Sequence, residues 1–93
     1  MVRNWITDVV CDPDIEHKIW TKHKLTLDDI KSAVCFLAGE EERWDVHPVY
    51  GGRWLVKGTS ASGVALIAFL RVEDEHNGVW RCGTAMRESE MYG

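Results

Sequence analysis

Between His17 and Lys24 the chain reads His-Lys-Ile-Trp-Thr-Lys-His-Lys, with three lysines and two histidines in eight residues and no acid among them. Lys18 and Lys22 stand four apart, which puts them on one side of a helix. Such a face can hold a phosphate while a neighbouring imidazole moves a proton. The plainer alternative is a solvated face whose lysines offset acidic surroundings. Arg53, Arg71 and Arg81 lie in stretches that alternate like strands. Grouped on a wet sheet face, they would bind phosphate or stabilise charge developing in a transition state. Alternatively, they pair across strands with acids such as Asp45 and Glu73.

Other chemistry finds less support in the residues. His17 and His23 are six apart and do not share a helix face. With His47 and His76 in expected loops, no spacing resembles a zinc site, so neither a metal nor a cofactor is expected. Cys11, Cys35 and Cys82 form no CxxC pair and sit in apolar surroundings, where thiols are inert. No GxSxG, P-loop or GxGxxG motif occurs. The net charge of −4, from 15 acids and 11 bases, weighs against a general nucleic-acid binder.

The elements that must position these residues follow from local signals. Residues 1–7 read as a flexible arm. Val9 and Val10 favour a short strand from Asp8 to Cys11. Asp12-Pro13 is a helix start, Asp12 capping and Pro13 in the first turn. Ile15, Ile19 and Trp20 give this helix an apolar side, and it ends near Lys24. Thr26 starts a second helix, with Asp29 three residues on as in a capping box. Ile30, Ala33, Val34 and Leu37 keep the helical period, and Gly39 is the natural stop. Glu40, Glu41 and Glu42 then read as a solvated loop.

From Trp44 the period changes to two. Trp44 and Val46 alternate with polar residues, and Tyr50-Gly51-Gly52 reads as a turn. Arg53 to Gly58 is a strand with one wet face, and Ser60 to Gly63 is a turn. Val64 to Val72, apolar except for Arg71, is the central strand, covered on both faces. Asn77-Gly78 marks a hairpin, and Val79 to Ala85 returns from it. Residues 86–93 are a polar tail. The expectation is a single α+β domain over residues 1–93: two N-terminal helices packed on an antiparallel sheet of three to five strands. At 93 residues it buries roughly 60–65% of its unfolded surface. Most of the five tryptophans should therefore serve the core, with at least one exposed as an anchor for a partner.

The stretch from Asp12 to Ile30 resembles the BrnT family, toxins of type II toxin–antitoxin pairs with a RelE-like ribonuclease fold. The shared features are the acid-Pro helix start (Asp12-Pro13), the Lys-His pair (Lys22-His23) and the second helix start (Thr26-Leu27-Asp28-Asp29). Arg53 to Leu70 is similar to the family's two middle strands, including the glycine at Gly58. Trp80 to Glu88 resembles the last strand, with Thr84-Ala85 and Tyr92. The Trp-rich wording is similar to actinobacterial and actinobacteriophage members. Where the family has a lysine, an asparagine and a glycine, this chain has Ile15, Ile19 and Lys24. The arginine expected after Thr84-Ala85 is Met86, with Arg87 one step along, and one step in a strand turns a side chain to the other face.

Two main readings follow. The first is a toxin-like, growth-inhibitory protein that binds a protein partner, with its catalytic set degenerate and with Trp20, Trp44 and Trp54 as contact residues. If the protein is phage-borne, that partner is a host protein. The second is what the resemblance implies, an active ribonuclease neutralised by an antitoxin. Lys22 and Arg53 would then hold phosphate, Arg81 would stabilise the transition state and His23 would carry the proton, with RNA as the substrate. A third reading is an inert subunit of a larger assembly. An exposed sheet edge also allows a homodimer. The odd number of thiols and the lack of a signal-peptide core in Met-Val-Arg-Asn-Trp suit a cytoplasmic protein. The longest apolar run, Val64 to Leu70, is too short for membrane insertion.

Overall fold

The computed structural model describes residues 5–49 and 51–92, with only the backbone described for Leu37, Met91 and Tyr92. The chain runs through strand β1 (Asp8–Val10), helix α1 (Pro13–His23), helix α2 (Leu27–Val34) and a 3-10 turn (Cys35–Leu37). It continues through strands β2 (Glu41–His47), β3 (Gly51–Thr59), β4 (Ala65–Asp74) and β5 (Val79–Arg87) to a short helical segment, α3 (Glu88–Tyr92). The five strands form one sheet in the order β1-β5-β4-β3-β2. This is the α+β class, with two helices followed by a sheet. The sheet is mixed and not purely antiparallel, because β1 runs parallel to β5. Among the described residues, no helix is long and apolar enough to cross a membrane.

The core forms where the apolar stripe of the helices meets one sheet face. Ile19 of α1 and Ile30, Ala33 and Val34 of α2 pack with Val9, Val56, Leu66, Ala68, Leu70, Trp80, Cys82 and Ala85. Burying a side chain the size of Ile30 contributes roughly 2 kcal/mol. The other sheet face carries only a small cluster of Leu55, Ile67 and Phe69, with Met86 packed against it. Residues 66–70 of β4 are thus buried on both faces, as their near-continuous apolar run predicts.

The helix starts differ in how they are capped. The capping box at Thr26 is complete: the Asp29 N–H donates to Thr26 Oγ1 and the Thr26 N–H donates to the Asp29 carboxylate, both at 3.1 Å. The Thr26 N–H, with the Ser62 hydroxyl, holds the Asp29 carboxyl below the usual carboxylate range. Asp12 takes the N-cap position of α1, but its carboxylate makes no capping bond and turns to Arg81. Helix α1 ends at Lys24, which adopts left-handed φ 56° and donates its N–H to Trp20 O. A non-glycine residue there costs roughly 1–2 kcal/mol. Lys24 keeps its ammonium 5.1 Å from the Trp20 ring, which offsets part of that. Lys24→Gly is expected to raise the melting temperature by about 4 °C in a thermal melt.

Several boundaries depart from the local signals. Helix α2 stops at Val34, well before Gly39, because Phe36 turns left-handed and donates its N–H to Ile6 O at 2.7 Å. Glu41 and Glu42 are not loop. They open β2, paired with Lys57 and Val56 of β3. Gly51 and Gly52 belong to β3 and not to the turn, since Gly51 pairs with His47 and Gly52 with Val46. Tyr50 lies outside the described residues, as do residues 1–4 of the expected arm and Gly93 of the tail. Residues 5–7 are held in place: Ile6 is buried and the Thr7 N–H donates to Gly78 O at 2.8 Å. Met86 and Arg87 extend β5 instead of opening the tail, and Glu88 pairs with Lys57 at 2.7 Å.

Candidate functional site

On the sheet face opposite the helices, period-two alternation brings three arginines into a cross-strand row. Arg71 of β4 pairs directly with Arg81 of β5, and Arg53 of β3 lies one step beyond the Trp54–Leu70 pair. A register shift between Phe69 and Leu70 leaves Gly83 unpaired and sets Thr84 opposite Phe69, on the same face. Among the described residues, no strand covers the outer edge of β5 beyond Val10, and α1 packs against β5. The result is a hollow of about 570 Å³ lined by Arg53, Phe69, Arg71, Arg81, Thr84 and, from α1, Lys18. Like charges directly opposite in a sheet are destabilising, so the row needs carboxylates or a ligand to compensate it.

Carboxylates supply part of that compensation. Arg53 Nε donates to Asp45 at 3.2 Å while its guanidinium stacks 4.4 Å from the Phe69 ring centre. Arg81 binds both oxygens of Glu73, at 2.8 and 2.9 Å, and reaches Asp12 at 2.6 Å. These bonds push the Arg81 guanidinium pKa further up and hold the Glu73 carboxyl below its usual range. The two alternatives weighed for the arginines therefore occur together, because the row is grouped and two of its members are paired with acids. Among the described residues, Arg71 and Lys18 make no ion pair. Glu73→Gln should release Arg81 and raise affinity for a short polyphosphate several-fold at low salt, read by isothermal titration.

Lys22 and His23 do not line this hollow. They border a neighbouring one of about 110 Å³, joined to it through Ile15, Lys18, Gly83 and Thr84. His23 Nδ1 lies 2.5 Å from Glu90 Oε2, and its backbone oxygen accepts from Arg87 Nε at 3.0 Å. The carboxylate fixes the ring and leaves Nε2 as the nitrogen able to exchange a proton. Arg87 faces the helix side, bound to the end of α1, while Met86 joins the opposite face. No arginine borders the hollow that holds His23. Phe69 and the pairing acid Glu90 carry no signal in the sequence, and Thr84 stands out there only in the Thr84-Ala85 resemblance and not as a site residue. Only the bulge and the chain's return past α1 bring them here.

The tryptophans are less buried than a thin core would suggest. Trp80 is buried and donates its indole N–H to Trp5 O at 3.3 Å. Trp54 is half-buried against the core, and Trp44 meets it edge-on at 5.3 Å. Trp5, Trp20 and Trp44 are each about half exposed. Trp20 borders a surface hollow of about 500 Å³ with Pro13, His17, Leu25 and Leu27. Among the thiols, contact with Cys11 and burial push Cys82 up and burial raises Cys35, while the bond to Cys82 lowers Cys11. Among the described residues, no group of three or more His, Cys, Asp or Glu side chains converges on a metal position.

No protein-family model, curated protein or solved structure matches the chain.

Proposed function

We propose that this chain is a toxin-like, growth-inhibitory protein that acts by gripping a protein partner and not by cutting RNA. One observation carries the reading: both candidate catalytic arginines are already engaged by carboxylates. Arg53 is held by Asp45, and Arg81 by Glu73 and Asp12. A guanidinium that must meet a phosphate has first to release its acid, which weakens the field the phosphate would feel. The net charge of −4 works in the same direction.

The exposed indoles of Trp20 and Trp44 supply what partner binding needs, large rigid apolar area beside polar surroundings. The likeness to actinobacteriophage BrnT-like proteins supports a host protein in the cytoplasm as the target. Trp20→Ala leaves the core intact, since its ring is half exposed. Its expected effect is loss of growth inhibition on induced expression and loss of partner recovery from a host lysate. Full inhibition by the Trp20→Ala chain would remove Trp20 from the contact surface.

A second reading, an active BrnT-like ribonuclease neutralised by an antitoxin, is favoured by the row of Arg53, Arg71 and Arg81 and by the hollow it lines. In that reading Lys22 and Arg53 hold phosphate, Arg81 faces the pentacoordinate transition state and His23 Nε2 carries the proton.

A further inference from the structure

Among the described residues, β2 is left as an open sheet edge, paired on one side only, with β3. Every other backbone N–H and C=O of Glu41–His47 therefore faces away from the sheet. Four of its seven side chains, Glu41, Glu42, Arg43 and Asp45, are charged and guard against unmatched partners, but other protections of an edge are missing. The strand is seven residues long, contains no proline or lysine, and pairs with β3 without a register shift. Its outward side chains include Trp44 and Val46, 53% and 68% exposed. The Trp44 ring occupies the place where a Cβ on residue 52 would lie, and it rests edge-on against Trp54.

We propose that this edge is filled by a second copy of the chain, with the two β2 strands antiparallel about a two-fold axis through Trp44. The order Glu-Glu-Arg-Trp-Asp-Val-His is complementary to itself when read backwards. The register that overlaps all seven residues sets Trp44 against Trp44 of the second copy, Arg43 against its Asp45, and Glu41 against its His47. Arg43 and Asp45 point to the open face, where Asp45 already holds Arg53 at 3.2 Å. The pairing thus places each Asp45 between two guanidinium groups. On the helix side, the two Trp44 rings and the flanking Val46 side chains cover one another. An unlike partner would have to supply this alternation of charge by chance, whereas a second copy carries it by symmetry. A single strand edge is a small interface, so the dimer forms in the micromolar range. This inference goes beyond the proposed function and narrows it: Trp44 belongs to the self-interface, and Trp20 is left for the unlike partner.

Sedimentation velocity of the purified chain over a concentration series tests this with no other partner present. Wild type should pass from monomer to dimer. Arg43→Asp and Asp45→Arg each set like charges opposite one another twice and should raise the dimer Kd about tenfold or more. An equimolar mixture of the two restores both pairs as a heterodimer and should recover wild-type association. Val46→Glu changes an exposed side chain and faces Glu42 of the second copy, so it should also leave a monomer; this arm decides the matter if Asp45→Arg fails to fold. A wild type that stays monomeric up to its solubility limit would overturn the proposal. So would single variants that dimerise like wild type, or a folded mixture that fails to associate. Growth inhibition retained by a monomeric Arg43→Asp chain would leave the proposed function standing without the dimer.

Discussion

Gly58→Ala lowers the stability of this protein by about 3 kcal/mol, and its melting temperature by about 15 °C, in thermal or urea unfolding. The reason is a backbone contact. A Cβ on residue 58 would lie 2.2 Å from the carbonyl oxygen of Ala33 and 3.0 Å from its carbonyl carbon. Backbone in the last turn of a helix cannot swing aside as the end of a flexible side chain can. To admit the methyl group, α2 must lift from β3, and Ile30, Ala33 and Val34 would lose part of their packing on Val56 and Leu66. The lift would also strain the tie between the Ser32 hydroxyl and the Ala61 N–H at 2.9 Å, which fixes the helix to the β3–β4 turn. A variant that melts within about 2 °C of wild type would mean that α2 does not sit on β3 in this way.

What the sequence revealed, it revealed through local physics. Thr26 and Asp29 form a capping box within four residues of chain, and that box is present. Asn77-Gly78 turns the chain, and the alternation of Arg53 with Trp54 separates a wet face from a covered one because side chains in a strand can only alternate. The misread positions depend on partners distant in the chain. Helix α2 ends early because Phe36 bonds to Ile6, thirty residues away. Glu41 and Glu42 become strand because β3 offers them a ladder, and no feature of Glu-Glu-Glu itself announces one. The parallel pairing of β1 with β5 joins Asp8 to Val79 and has no local signature.

The site was legible to the same depth. A shared face for Arg53, Arg71 and Arg81 was one of two possibilities the strand-like stretches offered, pairing with acids being the other. That Glu73 and Asp12 would both close on Arg81 could not be read there, because Asp12 read as a helix cap, and a carboxylate chooses between a cap and a guanidinium only in three dimensions. The bulge at Gly83 decides which of Thr84 and Ala85 faces the arginines, and one extra residue in a strand leaves no periodic trace. The tryptophans were misjudged for a related reason. Which indoles stay exposed depends on how much of the sheet two short helices can cover, and Trp44 lies beyond their reach on the edge strand.

The most consequential expectation concerns chemistry. Removing a phosphate-holding or transition-state arginine from a nuclease costs about a hundredfold or more in rate. A chain lacking Lys22, Arg53 and Arg81 together would therefore be inert if it worked by cutting RNA. If it works by holding a partner through Trp20, those three side chains matter little beyond their ion pairs. These pairs are exposed or partly exposed, and such ion pairs contribute little to stability. The direct measurement is growth of a susceptible bacterial host on induction of wild type, of Trp20→Ala, and of the Lys22→Ala/Arg53→Ala/Arg81→Ala triple variant, with thermal melts showing that both variants fold. Partner binding predicts that wild type and the triple variant inhibit growth, that Trp20→Ala does not, and that cellular RNA stays intact throughout. Loss of inhibition in the folded triple variant, accompanied by RNA cleavage in wild type, would contradict it and establish the ribonuclease reading; a wild type that leaves growth unchanged would contradict both.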